Sequence, residues 1–99
     1  MNRGIVTMQT LAEKRAQINR AAEARRVYDV RVFGSVARGD NTPASDVDFL
    51  VKPRPGCTLF DLGGVEDLQD LLGCRVDVIT DEALKPRLRS RALAEAVPV

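Results

Sequence analysis

The chain's 99 residues suit a single folding unit, since domains commonly run to about 100–150 residues. Hydrophobic residues at 44% and charged residues at 29% are ordinary globular usage, and no apolar run approaches the roughly 20 residues that span a bilayer. There is no histidine, and Cys57 and Cys74 lack metal-ligand spacing, which argues against zinc chemistry and a Ser-His-Asp triad and leaves catalysis to carboxylates and hard cations.

Residues from about 8 to 27 read as a helix rich in Ala, Glu, Arg and Gln, with Leu11, Ile18 and Ala22 forming an apolar stripe. "VYDVRVFG" then alternates as a strand, with Tyr28, Val30 and Val32 on one face, and Gly34 ends it. "SVARGDNTPAS" is dense in small, Asn and Pro residues, so it holds at most a short helical turn before a loop. "DVDFLVK" is a second strand, stopped by "PRPG". Thr58 is placed to cap a helix over about 59–72, whose leucines, Leu59 among them, supply apolar surface. Gly63-Gly64 weakens that helix locally, and Gly73 stops it. "CRVDVIT" is a third strand, and Asp81 is placed to cap a last helix through about 96 with Pro86 in its first turn. This α-β-(turn)-β-α-β-α order predicts an α/β fold, a sheet covered mainly on one face with the other free for a site.

The net charge of +1 conceals segregation. Basic residues crowd the first third and the end, while Asp61, Glu66, Asp67 and Asp70 make a later segment acidic. Such a pattern is the mark of solvated helix faces first, and of an anionic ligand or complementary partner second. The N-terminus lacks the continuous apolar core of a secretory signal, so the expected location is cytoplasmic. The cysteines read as reduced, partly buried residues.

Asp46 and Asp48 share a face if their strand has already begun, because i and i+2 residues of a strand project together. Two adjacent carboxylates repel, and a bound cation removes that penalty; otherwise both are solvated at the strand's start. Asp77 sits within "RVDVI", where an acid among β-branched residues is a poor strand former. Either an arginine such as Arg31 or Arg75 pairs with it, or it joins the first two acids. Three carboxylates without histidine suit Mg²⁺ or Mn²⁺ bridging to phosphate oxygens. Gly34 lets backbone N–H groups approach a phosphate, and Ser35 can cap the turn or donate to a phosphate oxygen.

With these residues in place, "GSVARGDNTPASDVDFLV" resembles the signature of the DNA polymerase beta-like nucleotidyltransferases: Gly-Ser, ten residues, then Asp-x-Asp. The "GS-x-ARG" and "SD-x-D" elaborations resemble, more narrowly, the minimal nucleotidyltransferases. The similarity runs over a motif core of about 30–80, within one minimal nucleotidyltransferase domain over 1–99. The resemblance implies a short mixed sheet flanked by helices, with the acids at an open face. It also implies transfer of a nucleoside monophosphate from a nucleoside triphosphate, with pyrophosphate released. Asp46, Asp48 and Asp77 would be the catalytic, metal-binding residues for two Mg²⁺ ions, Mn²⁺ being an alternative. Gly34 and Ser35 would hold the triphosphate of ATP. Arg38 would either neutralise phosphate charge or only tie down the turn.

Many minimal nucleotidyltransferases resemble antitoxins paired with a helical HEPN ribonuclease toxin. That likeness implies transfer of AMP from ATP to a tyrosine hydroxyl of the toxin, which silences it. The alternatives are a non-catalytic antitoxin that occludes the toxin, and a nucleotidyltransferase acting on a small molecule or an RNA end. No membrane and no direct nucleic-acid partner is expected. The open sheet face is suited to assembly with itself or with a partner.

Overall fold

A computed structural model describes residues 5–99. Residues 1–4, the start of the segment weighed as a secretory signal, lie outside the described residues. Helices α1 (Met8–Glu13) and α2 (Arg15–Ala24) lead to strand β1 (Val27–Phe33), the short helix α3 (Ser35–Arg38) and strand β2 (Val47–Pro53). Helices α4 (Leu59–Gly63) and α5 (Glu66–Leu72), strand β3 (Val76–Thr80), a 3₁₀ turn (Asp81–Ala83), helix α6 (Pro86–Glu95) and strand β4 (Val97–Pro98) complete the chain. The sheet order is β3-β2-β1-β4, with β2 parallel to β3 and antiparallel to β1, and with β1 antiparallel to β4. It is a mixed α/β sheet flanked by helices, as expected.

One core lies between a face of the sheet and the helices. Leu11, Ile18 and Ala22 on α1 and α2 meet Val32 on β1, Val47, Phe49 and Val51 on β2, and Leu68 and Leu72 on α5. The opposite face is not bare. Leu50 and Ala92 are buried outside that cluster, and α6 packs against β1.

Several local expectations are corrected. The first helix breaks at Lys14, whose φ of −105° and ψ of 16° leave the helical range. Val30 and Val32 share the core-facing side as expected, but Tyr28 does not join them. The β1–β2 register shifts between Tyr28 and Arg31, where Asp29 takes a φ of 54°, so Val27 and Val32 are buried while Tyr28 is exposed. An extra residue in one strand of a pair does this: it restarts the alternation.

The helix over 59–72 is two helices, because the chain leaves helical geometry at Gly64 and Val65. Thr58 caps the first through a reciprocal box with Asp61, and Gly73, at a φ of 71°, ends the second. Leu59 contributes nothing to the core, being 84% exposed. Asp81 opens a 3₁₀ turn, not α6; Lys85 is the N-cap there, and Pro86 stands at the first position as anticipated. Both cysteines are free and half-buried.

Candidate active site

The pairing register brings the acids together. Parallel pairing of β2 with β3 sets Asp48 opposite Asp77, and antiparallel pairing of β1 with β2 sets Phe33 opposite Asp48. Directly paired residues project from the same side of a sheet. Phe33, Asp48 and Asp77 therefore form a row across three strands, on the face away from the main core. Both acids lie at the end of β2 and β3 from which those strands begin.

Asp48 is half-buried while Asp77 is exposed. The reading of Asp77 as a buried acid in need of a partner is thus corrected: it reaches water at the sheet's edge. Neither Arg31 nor Arg75 forms an ion pair with it; Arg31 pairs with Asp29, and Arg75 with Asp46. Burial, then the charges of Asp77 and Asp46, push the Asp48 carboxyl up to about 6, against a smaller opposing pull from Arg38. Asp48 thus feels the charge of both other acids, although 29 residues of chain separate it from Asp77.

Asp46 precedes β2, and its Oδ1 accepts a hydrogen bond from Arg75 Nε at 3.0 Å. Arg75 escaped notice as a partner of Asp46, yet its signal was available. Once "VDFLV" is laid in parallel beside "VDVIT" with Val47 on Val76, the residues just before them, Asp46 and Arg75, become neighbours.

Gly34 joins β1 to α3 with a φ of +78°, and a Cβ built there would stand 2.7 Å from Asp48 Oδ2. Only glycine lets the backbone come this close to the carboxylate. Ser35 begins α3, where its carbonyl accepts hydrogen bonds from Gly39 N (2.9 Å) and Asp40 N (3.1 Å). Arg38 lies on the exposed end of that helix. Its Nε donates to Asp40 Oδ2 at 3.1 Å and its Nη1 to Glu95 Oε2 at 2.7 Å, which ties the turn to α6. Those two partners raise the guanidinium's pKa further. Glu95 is a second residue that sequence reasoning missed, and no local pattern marked it. In the loop before β2, Ser45 Oγ accepts from Thr42 N at 2.9 Å, a turn-holding role.

The donor set fits a hard divalent cation: carboxylate oxygens alone, with mutual repulsion that a cation would relieve, beside a glycine cradle open to an anion. Among the described residues, however, no three acidic or thiol side chains stand ready as a closed cage. Arg75 holds Oδ1 of Asp46, which leaves Oδ2 for a cation.

A mixed sheet with paired carboxylates beside a glycine turn makes this an α/β protein whose site suits a hard cation. Residues 14–99 match the profile of the nucleotidyltransferase domain, and the chain belongs to that family. It is an enzyme of the nucleotidyltransferase class, which takes a nucleoside triphosphate and a divalent metal. The chain is 42% identical over 69 residues to MJ0435 of Methanocaldococcus jannaschii, whose name gives protein adenylyltransferase as an inferred activity; this spans 69% of the chain and 74% of that protein. It is 38% identical over 74 residues to the protein adenylyltransferase MntA of Thermococcus cleftensis, spanning 74% of the chain and 75% of the relative. A solved structure described as an inferred minimal nucleotidyltransferase superposes with a TM-score of 0.81 at 40% identity, over 95% of this chain and 97% of that one.

Proposed function

We propose that this chain is a minimal nucleotidyltransferase that transfers AMP from ATP to a tyrosine hydroxyl of a HEPN-type ribonuclease toxin and so neutralises it. The observation that carries the proposal is the register pair Asp48–Asp77, with Asp46 in electrostatic range and Gly34 closed against Asp48. The relatives named as protein adenylyltransferases support AMP as the group moved and a protein as its acceptor.

Asp46, Asp48 and Asp77 would hold the Mg²⁺. When bound, the divalent metal stabilises the attacking and leaving oxygens of an in-line displacement. Gly34 presents backbone N–H groups to the triphosphate, and Ser35 adds its hydroxyl. Asp77, on the exposed side of the row, faces the acceptor and helps to draw the hydroxyl proton toward solvent. A bond forms between the tyrosine oxygen and the α-phosphorus. The bond from that phosphorus to its bridging oxygen breaks, and pyrophosphate leaves with the electron pair.

The test mixes the protein, Mg²⁺-ATP and the product of the neighbouring reading frame, then weighs both proteins. The neighbour is expected to gain AMP on tyrosine, and Asp46→Asn with Asp48→Asn is expected to abolish that gain. Neutralisation of the neighbour with no change in its mass would refute the transfer and leave occlusion as the mode of action.

A further inference from the structure

Beside the row of acids, the free edge of β3 carries a groove that the reaction described above does not use. β3 is the outermost strand, with a neighbour on one side only among the described residues. Val47 N donates to Arg75 O, and Val76 N turns away toward Gln69 Oε1. Even-numbered residues of β3 therefore direct their backbone groups outward, as in any parallel edge.

Along this edge runs a groove of ≈ 420 Å³, lined by Leu59, Leu62 and Val65 on one side, Val78 and Ala83 on the other, and Asp77 from the site. Leu59 on its α4 wall is 84% exposed, and Phe60, the next residue of α4 and outside the groove's lining, is 91% exposed. Two large adjacent apolar side chains left in water, on a helix with a complete capping box, are not a folding accident. Asp77 in the lining is acidic, and Glu66, Asp81 and Glu82 stand next to lining residues in the chain; none of these four forms an ion pair among the described residues.

We infer that this groove receives an extended, basic segment of the acceptor protein, which sets an apolar side chain on Leu59 and Phe60 and delivers its hydroxyl at Asp77. The inference rests on the transferase reading for the acceptor's chemistry. The groove's continuity with Asp77 fixes where the segment leads. Edge-strand addition supplies sequence-independent backbone contacts, and the apolar wall and acidic border supply selection. A second copy of this chain is a poor occupant, because an isologous contact would set the acids against their own copies. RNA is repelled for the same reason.

The experiment uses two fluorescein-labelled peptides, one alternating lysine and valine around a single tyrosine, the other with glutamate for each lysine. Binding to the full chain is read by anisotropy at physiological salt. The lysine peptide is expected to bind at least about tenfold more tightly than the glutamate peptide. The double variant Leu59→Ser/Phe60→Ser, with both sites on the surface and an unchanged circular dichroism spectrum, is expected to lose about tenfold for the lysine peptide. Equal affinities, no binding, or a double variant that binds like the parent would each overturn the groove assignment. So would a dimer, seen by sedimentation, that the double variant dissociates. With Mg²⁺-ATP added, the same samples are weighed. Peptide binding with no AMP gain on the partner protein defeats the transferase reading and spares the groove. AMP gain that ignores both substitutions defeats the groove alone.

Discussion

A Cβ on Gly34 would stand 2.7 Å from Oδ2 of Asp48, so the turn after β1 and the carboxylate of β2 occupy space that no other residue permits. Gly34→Ala meets two penalties: the contact itself and a backbone at φ +78° that side-chain-bearing residues rarely adopt. Backbone strain of this kind costs about 1–3 kcal/mol. Because the atom it meets belongs to the Asp48 carboxylate, which can swing aside, the larger effect falls on function. The expected outcome is an unfolding free energy, from urea titration, lowered by an amount within that range, and nucleotidyl transfer reduced by well over about tenfold. A variant that melts lower yet transfers at the parental rate would show that Asp48 does not need its present position.

The acidity of Asp48 predicts how the metal-free protein responds to pH. Its carboxyl is held at about 6 in the fold, chiefly by burial and then by Asp77 and Asp46, against 3.8 as the ordinary value. Between those values the native state binds more protons than the unfolded state, so stability falls as pH rises. The penalty is fully present above the folded value and gone below the unfolded one. A shift of this size corresponds to about 3 kcal/mol, which solvent screening at a half-exposed group reduces to about 1–2 kcal/mol. In chelator near about pH 8, Asp48→Asn is therefore expected to be the more stable protein by that amount, with the advantage vanishing toward about pH 4. Urea unfolding of both proteins across that range is the measurement. A constant difference between them would refute the account.

Far from the site, Arg25, the C-cap of α2, is buried, and its guanidinium donates to Asp67, to Gly64 O and, at 3.0 Å, to Ala21 O. Asp67 is lowered below the usual carboxylate range, first by that hydrogen bond to Arg25. Its contribution is therefore present above its unfolded value and lost as pH falls through its folded one. Removing one partner of such a pair leaves a buried charge uncompensated, which costs about 3–5 kcal/mol when both are enclosed. Asp67 is itself more than half exposed, so Asp67→Ala is expected to cost about 1–3 kcal/mol. A neutral result in thermal unfolding would mean that Gly64 O and water suffice for Arg25.

The sequence carried the elements of the site more clearly than their surroundings. The Asp-x-Asp of β2 and the lone acid of β3 stood out because acids interrupt β-branched runs, and parallel pairing then aligned Asp48 with Asp77. Capping by Thr58 and termination at Gly73 were legible because each depends on one residue's own chemistry. The bulge at Asp29 was not, since an unusual φ at a non-glycine residue comes with the shift in pairing with β2, which no local pattern marks. Leu59 was misjudged because a leucine at helical spacing has the same appearance whether it meets a core or water. The pairing of Val97–Pro98 with β1 and the reach of Glu95 to Arg38 depend on where the chain's end returns, which no local pattern encodes.

That last contact separates two roles for Arg38. Glu95 Oε2 lies 2.7 Å from Arg38 Nη1, and Asp40 holds the Nε, so a triphosphate must compete with two carboxylates for this guanidinium. If Arg38 neutralises phosphate charge, Glu95→Gln weakens the competitor and leaves the turn's backbone hydrogen bonds intact. The KM for the nucleoside triphosphate is then expected to fall about three- to tenfold with kcat unchanged, and Arg38→Ala to raise it by at least as much. If Arg38 only ties α3 to α6, both substitutions loosen the same tether. They would then shift KM in the same direction, upward, and raise amide exchange in α3 alike. Steady-state kinetics on the two variants, with exchange measured on the same samples, distinguishes these outcomes. Opposite movement of the two KM values is the expected result, because the charge of Arg38 is already felt at Asp48.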